Sequence, residues 1–362
     1  MFQQKNNYCR MILLKKNIPL IILAILVASC KKDIPPQKPT ATGSISTSKR
    51  LIICNEGNFG QSNATITLYD PASGSIVPDA YGPANSNQYI GDVIQNGIKF
   101  NENYFWAVNH SGKIVVTDKN FIKLASIGGF ISPRYIVFVS NNKAYVSNLQ
   151  LNNNVANYIQ VLDVNTNSIS KTIRLDGWTE QMVQSYGKVY VCNQRKKYIY
   201  VIDASTDLLS DSIFVNATNA CIVKDRNEKL WVSCNADSVN NIPARLLKIN
   251  PVNDSIESDI SLQTTHNSVS QLKINGSGNI LYYLLNDLFK FSISATSSSA
   301  TFIQQGTRVF YGLCIDPDDE TIYIADAIDY NQNGSILRYK SDGTFVSTFK
   351  SGIIPGYMWV EE

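Results

Sequence analysis

Few residues in this 362-residue chain have the types and spacing that chemistry needs. The two histidines, His110 and His266, fall in predicted loops, and no Gly-x-Ser-x-Gly element supplies a nucleophile beside either. Gly57-Asn58-Phe59-Gly60 and Asn275-Gly276-Ser277-Gly278 are glycine-rich, but neither opens a helix, so no helix dipole is available to hold a phosphate. Asp316, Asp318, Asp319 and Glu320 form an acidic run without the spaced ligands and central glycine of a calcium loop, and they read as a hairpin tip. Cys54, Cys192, Cys221, Cys234 and Cys314 are odd in number, lack short pairings and sit in β-patterned segments, as small buried hydrophobes do. No catalytic residue, metal ligand or catalytic cofactor is assigned, and the chain is not expected to be an enzyme.

What remains is a set of aromatic, amide and charged residues whose placement depends on the elements around them. From Arg50 onward a β-rich segment ending in a small polar residue alternates with a second apolar strand ending near Asp. Lys143-Ala-Tyr-Val-Ser-Asn148 with Ile159-Gln-Val-Leu-Asp163, and Lys188-Val-Tyr-Val-Cys-Asn193 with Ile199-Tyr-Val-Ile-Asp203, are the clearest copies. The markers Tyr145, Tyr190, Trp231, Tyr282 and Tyr323 recur at 45, 41, 51 and 41 residues. Repeats of about 40–45 residues with four short strands each are propeller blades. Seven copies are present. The first lacks a preceding inner strand, and Ile354-Pro-Gly-Tyr-Met-Trp-Val360 looks like an inner strand without its blade. The expectation is an all-β, seven-bladed β-propeller over residues 50–362, closed by the C-terminal strand pairing beside residues 51–55, which removes two open sheet edges.

In such a blade the loop between the second and third strands and the loop into the next blade emerge on one face. Those loops hold Phe59, His110, Asn193 and Arg195, and Tyr89, Asp92, Arg134, Tyr135, Trp178, Glu180, Asn219, Gln271, Tyr311 and Tyr357. Rings supply contact area while amide and guanidinium groups fix orientation, a mixture suited to a large, neutral or weakly charged ligand. For any single Asn at a strand end, capping of turn backbone is the competing role.

The first residues are processing signal. Lys5, Arg10, Lys15 and Lys16 precede an apolar run from Ile18 to Ala28 that closes on Val27-Ala28-Ser29-Cys30. The run is shorter than the roughly 20 residues of a spanning helix. Residues 1–29 therefore read as a lipoprotein signal peptide with Cys30 the lipidated residue, and residues 30–49, rich in Pro, Ser and Thr, as a flexible tether. Removing residues 1–29 takes away four basic and no acidic residues, moving the formal charge from +3 to −1. A near-neutral body argues against nucleic acid as partner. The expectation is a monomeric propeller held to a membrane by its lipid.

The blade pattern is similar to the YncE-like seven-bladed propellers across nearly all of residues 50–360. Asn55-Glu56-Gly57-Asn58-Phe59-Gly60, Ser111-Gly112-Lys113-Ile114 and Ser132-Pro133-Arg134-Tyr135-Ile136 resemble the Bacteroidetes surface-lipoprotein branch of that group. The resemblance implies an outer-membrane lipoprotein at the cell surface. It also implies cobalamin or a related corrinoid as transported ligand, handed to an outer-membrane TonB-dependent transporter. A cell-surface propeller that binds a protein or glycan partner is the alternative.

Overall fold

The computed structural model describes residues 49–150 and 157–361. The signal peptide, Cys30 and all but the last residue of the tether lie outside the described residues. The described chain forms seven antiparallel four-stranded sheets arranged as the blades of a ring. Blade 1 is composite: its inner strand is Pro355–Glu361, followed outward by Arg50–Asn55, Thr65–Tyr69 and Ile76–Val77. Blades 2 to 7 each take four consecutive strands, their inner strands being Ile94–Phe100, Pro133–Ser140, Thr179–Ser185, Asn219–Lys224, Gln271–Ile274 and Phe310–Ile315. The seven-bladed ring and its closure by the C-terminal strand are as the repeats predict: Leu51 pairs with Val360 and Ile53 with Met358.

Burial explains why the repeats stand out in the sequence. The second strand of each blade is covered on both faces by its neighbours, so Lys143–Asn148 and Lys188–Asn193 are buried after their first residue and read as continuous β-branched and aromatic runs. Core forms between blades: Tyr190 and Val201 of blade 4 pack with Ile222 and Val232 of blade 5. The seam is filled in the same way, with Leu51, Ile53 and Met358 of blade 1 against Cys314, Tyr323 and Ile336 of blade 7. Outermost strands face water, as in Leu208–Phe214, where only Ile213 is buried. All five cysteines of the body are buried and free. One helical turn, Tyr81–Ala84, interrupts the link between blades 1 and 2, started by Asp79, whose carboxylate accepts the N–H groups of Tyr81 and Gly82 at 3.1 Å.

On blades 3, 4 and 7 the polar residue that ends the second strand fastens the loop arriving from the previous blade. Asn148 Oδ1 accepts the backbone N–H groups of Ile131 and Ser132, Asn193 Oδ1 that of Trp178, and Asp326 Oδ1 that of Val309. On these blades the second strand thus fixes where the blade's own inner strand begins.

Candidate functional site

The inner strands start at the loop-rich end of the ring, and the residues just inside each start decide what faces the axis. Six of the seven carry a β-bulge there. On blade 2, Ile94 and Asn96 pair with Val108 and Ala107, leaving Gln95 unopposed. On blade 7, Phe310 and Gly312 pair with Asp326 and Ala325, leaving Tyr311; on blade 1, Pro355 and Tyr357 pair with Asn55 and Cys54, leaving Gly356. On blades 3, 4 and 5 the shift takes in Arg134-Tyr135, Glu180-Gln181 and Ala220-Cys221. Blade 6 stays in register, Gln271 opposite Leu284. A bulge bends its strand and re-aims a side chain. Gln95, Arg134, Glu180 and Tyr311 consequently line one axial cavity of about 380 Å³, joined by Gln271 from the unbulged blade 6 and by Tyr135, Gln194, Gln305 and Tyr330. A second space of about 180 Å³, lined by Tyr135, Asn96, Gln181, Lys273 and Tyr357, lies among the inner strands, where Lys273 Nζ stands 4.6 Å from the Tyr357 ring centre.

Two carboxylates and one guanidinium dominate the electrostatics. Arg134 places Nε 2.9 Å from Glu180 Oε1 and donates through Nη2 to Glu180 Oε2 at 3.1 Å and through Nη1 to Gln95 Oε1 at 3.0 Å. Glu180 is 2% exposed. Burial pushes its carboxyl upward, and the adjacent guanidinium pulls it back. Glu56, at the exit of the second strand of blade 1, accepts the Tyr311 hydroxyl at 3.0 Å. Burial pushes Glu56 up to about 7, with the Tyr311 hydrogen bond and the Arg134 charge opposing the rise. Glycine at 356 makes room for it: a Cβ there would stand 2.7 Å from Glu56 Oε1 and 3.2 Å from Tyr311 Cε1. Among the described residues no group of three or more His, Cys, Asp and Glu side chains converges as a metal site.

The residues picked out from the sequence divide into five groups, the last being Asn193 and Asn219. Arg134, Tyr135, Glu180, Gln271 and Tyr311 meet in the cavity, and Tyr357 lines the second axial space. Trp178 and Arg195 stand one step outward: the Trp178 ring centre is 5.9 Å from the Arg134 guanidinium and 5.3 Å from that of Arg195. Phe59, His110 and Asp92 form a separate rim cluster, with the Phe59 and His110 ring centres 4.0 Å apart and His110 Nε2 3.8 Å from Asp92 Oδ2, which also accepts the Gly60 N–H at 2.8 Å. Tyr89 lies beside another recess of about 230 Å³ lined by Asn63, Asp79 and Asn333.

Asn193 and Asn219 need correction as ligand contacts, since both are fully buried. Asn193 Oδ1 accepts the N–H groups of Trp178, Arg195 and Lys196, its Nδ2 donates to Asp176 O, and its own N–H donates to Asn219 Oδ1. Their polar atoms hold loops in place. Gln95 and Glu56 belong with the cavity or its wall but carry no motif. Alignment of inner-strand starts would have found Gln95, which occupies the position held by Arg134, Glu180 and Tyr311 in other blades.

The fold recurs in solved structures. A Quinonprotein alcohol dehydrogenase-like protein from Bacteroides thetaiotaomicron is 13% identical with a TM-score of 0.65, over 85% of this chain and 77% of that one. The periplasmic gluconolactonase of Pseudomonas aeruginosa is 9% identical with a TM-score of 0.67, over 87% and 99%. A functionally unknown protein from Desulfotomaculum acetoxidans is 11% identical with a TM-score of 0.68, over 86% and 98%. At these identities the likeness is one of fold alone. No curated protein matches the chain in sequence. Residues 49–351 do match a family, described as a domain of unknown function, DUF5074, and the chain belongs to that family.

Proposed function

We propose that this chain is a lipid-anchored binding protein of the outer-membrane surface whose loop-rich axial face captures a ligand for hand-over to a TonB-dependent transporter. The observation that carries the reading is the axial cavity, where bulges on separate blades turn amides, phenols and an Arg–Glu pair toward one point. Its volume of about 380 Å³ suits a small molecule or one projecting arm of a larger one. A corrinoid, the class implied by the YncE-like resemblance, would lie across the mouth with an amide-bearing arm in the cavity and its body against exposed rings such as Tyr330. The tether's point of entry agrees with this. Lys49, where the tether enters the fold, pairs with Asp316 and Asp318 at 2.8 Å, at the end of blade 7 opposite Phe310 and the cavity. The first described residue of the tether thus stands away from the cavity mouth.

A ligand bound to the folded state alone raises the melting temperature with the logarithm of its free concentration above Kd. Cobalamin should stabilise the mature protein, and Tyr330→Ala and Trp178→Ala should reduce the shift. No shift with cobalamin or other corrinoids, alongside stabilisation by a different compound, would remove the corrinoid reading and keep the binding one. Phe59, 71% exposed and tilted by 43° against His110 away from the axis, favours a second reading. A flat aromatic ledge of this kind suits a glycan ring or a partner protein, and loss of glycan or partner capture in Phe59→Ala would support that role.

A further inference from the structure

The groups that line the axial cavity are unequally paired. Arg134 is the one cation lining it; two of its N–H donors are taken by Glu180 and Gln95, and its Nε forms an ion pair with Glu180 Oε1. The pair leaves no net charge. Glu56 adds a second carboxylate beside the lining, accepting the neutral Tyr311 hydroxyl, and among the described residues no cation stands within ion-pair distance of it. Glycine at 356 lets it approach the wall, and its side chain remains half-buried rather than sealed. The other charged group near the axis, Lys273, is over Tyr357 in the second space and exerts no resolved pull on Glu56. Tyr311, which donates to the carboxylate, is packed edge-on against Tyr330 at 5.6 Å between centres, and both share the cavity lining with Tyr135. A carboxylate beside phenol faces is the arrangement that recognises a positively charged nitrogen, through Coulomb attraction, charge-assisted N–H···O bonds and the ring quadrupole.

We propose that the axial cavity receives a nitrogen donor group of its ligand, an ammonium in preference to a neutral amide, with Glu56 as its hydrogen-bonding counter-charge and Tyr311, Tyr330 and Tyr135 as its walls. The inference rests on the axial face being the ligand site and names the chemistry that enters it. Glu180 differs, because the Arg134 guanidinium beside it already balances its charge. Binding an ammonium requires ionised Glu56, so affinity should rise with pH through about 7, where its carboxyl titrates in the free protein. Arg134 and Tyr311 are the groups from other blades that act on that titration, while Cys54, from Glu56's own strand, is pushed upward and stays a neutral thiol.

The test uses the full mature chain and three probes of one shape: 2-phenylethylamine, phenylacetamide and phenylacetate, titrated by ligand-observed NMR at pH 6 and pH 8. The expected order at pH 8 is amine above amide, with the acid weakest, and the amine should weaken about tenfold at pH 6. Glu56→Gln, which keeps an acceptor for the Tyr311 hydroxyl, should abolish both the amine preference and its pH dependence while the melting temperature shows an intact fold. Tyr311→Phe keeps the aromatic wall and should retain the preference, guarding against a folding artefact in the first variant. Phenylacetate binding as tightly as the amine, or amine binding unchanged in Glu56→Gln, would overturn the inference. If cobalamin still stabilises the protein in that case, the axial face remains a ligand site and only its nitrogen preference is lost. If neither cobalamin nor any probe binds, both readings fail.

Discussion

Glu56 makes the stability of the fold respond to pH in an unusual direction. Its carboxyl is pushed from an ordinary value of 4.5 to about 7 by burial, against the opposing pull of Tyr311 and Arg134. Between those values the folded chain holds a proton that the unfolded chain has released, so stability falls as pH rises. The contribution is fully present below about 4.5 and is lost as pH passes through about 7; allowing for partial solvent access it amounts to about 1–3 kcal/mol. The melting temperature should therefore decline from pH 5 to pH 8 and Glu56→Gln should flatten that part of the profile. A profile of unchanged slope in the variant would show that other groups set it. Glu180 is buried more deeply but differs, because a guanidinium is bonded along one edge. Removing Arg134 would leave it an uncompensated buried charge, a change that typically costs about 3–5 kcal/mol.

Neighbouring blades are also joined by a repeated latch at the end opposite the cavity. Tyr145 and Lys143 of blade 3 both bond Asp207 of blade 4, with Lys143 Nζ at 2.7 Å. Tyr190 and Lys188 of blade 4 bond Asp254 of blade 5 at 2.5 and 2.6 Å. Both aspartates are the fifth residue of an outer turn, with φ of 55° and 60°. A position further round the ring explains the pattern by contrast. Tyr323 of blade 7 meets the turn of blade 1, where the fifth residue is Gly74 at φ 73°, and its buried hydroxyl has no hydrogen-bond partner among the described residues. Tyr190→Phe should lower stability by about 1–3 kcal/mol, having deleted a charge-assisted bond and left Asp254 less satisfied, whereas Tyr323→Phe should be neutral or slightly stabilising. Equal losses from both, measured by denaturant unfolding, would contradict the latch.

The same contrast shows how far the sequence could be read. Lys143-Ala-Tyr and Lys188-Val-Tyr announce themselves because second strands are buried on both faces and admit little but β-branched and aromatic residues. Blade number and closure follow from them. The cavity was legible only in part. Its lining depends on one extra residue at the inner-strand starts, which breaks the two-residue period among polar side chains and is invisible to alternation. Arg134, Glu180 and Tyr311 stood out by type, whereas Gln95 did not, and Glu56 reaches the wall only because residue 356, three hundred positions later, lacks a side chain. Asn193 and Asn219 misled because amides serve turn backbones and ligands alike, and only their complete burial decides between the two.

At the scale of the whole molecule, ring closure is concentrated in one strand and one carboxylate. Glu361 accepts Arg50 Nε at 2.8 Å and the Tyr104 hydroxyl at 2.6 Å, and lies 2.7 Å from Lys99 Nζ, binding the seam of blade 1 to blade 2. Burial opposes its ionisation, but Lys99, Tyr104 and Arg50 outweigh that and hold its carboxyl below the usual range. Deleting Gly356–Glu362 should expose the edge of Arg50–Asn55 and of the seventh blade's packing face, giving non-cooperative unfolding or aggregation in calorimetry. A truncated chain that melts in one transition at the full-length temperature would show that the ring does not need its seam.

The composite first blade also sets an order of events. Residues 50–77 are the earliest part of the propeller to be made, yet their sheet has no inner strand until residues 355–361 follow. Contacts across such a span are slow to form, since nearly the whole chain must be gathered before they stabilise anything. Gly356 arrives in that final step, and with it the surface against which Glu56 and Tyr311 meet. Competence at the axis is thus the last property the chain acquires: a propeller arrested or clipped before its final strand would carry most of its blades and still be blind to its ligand.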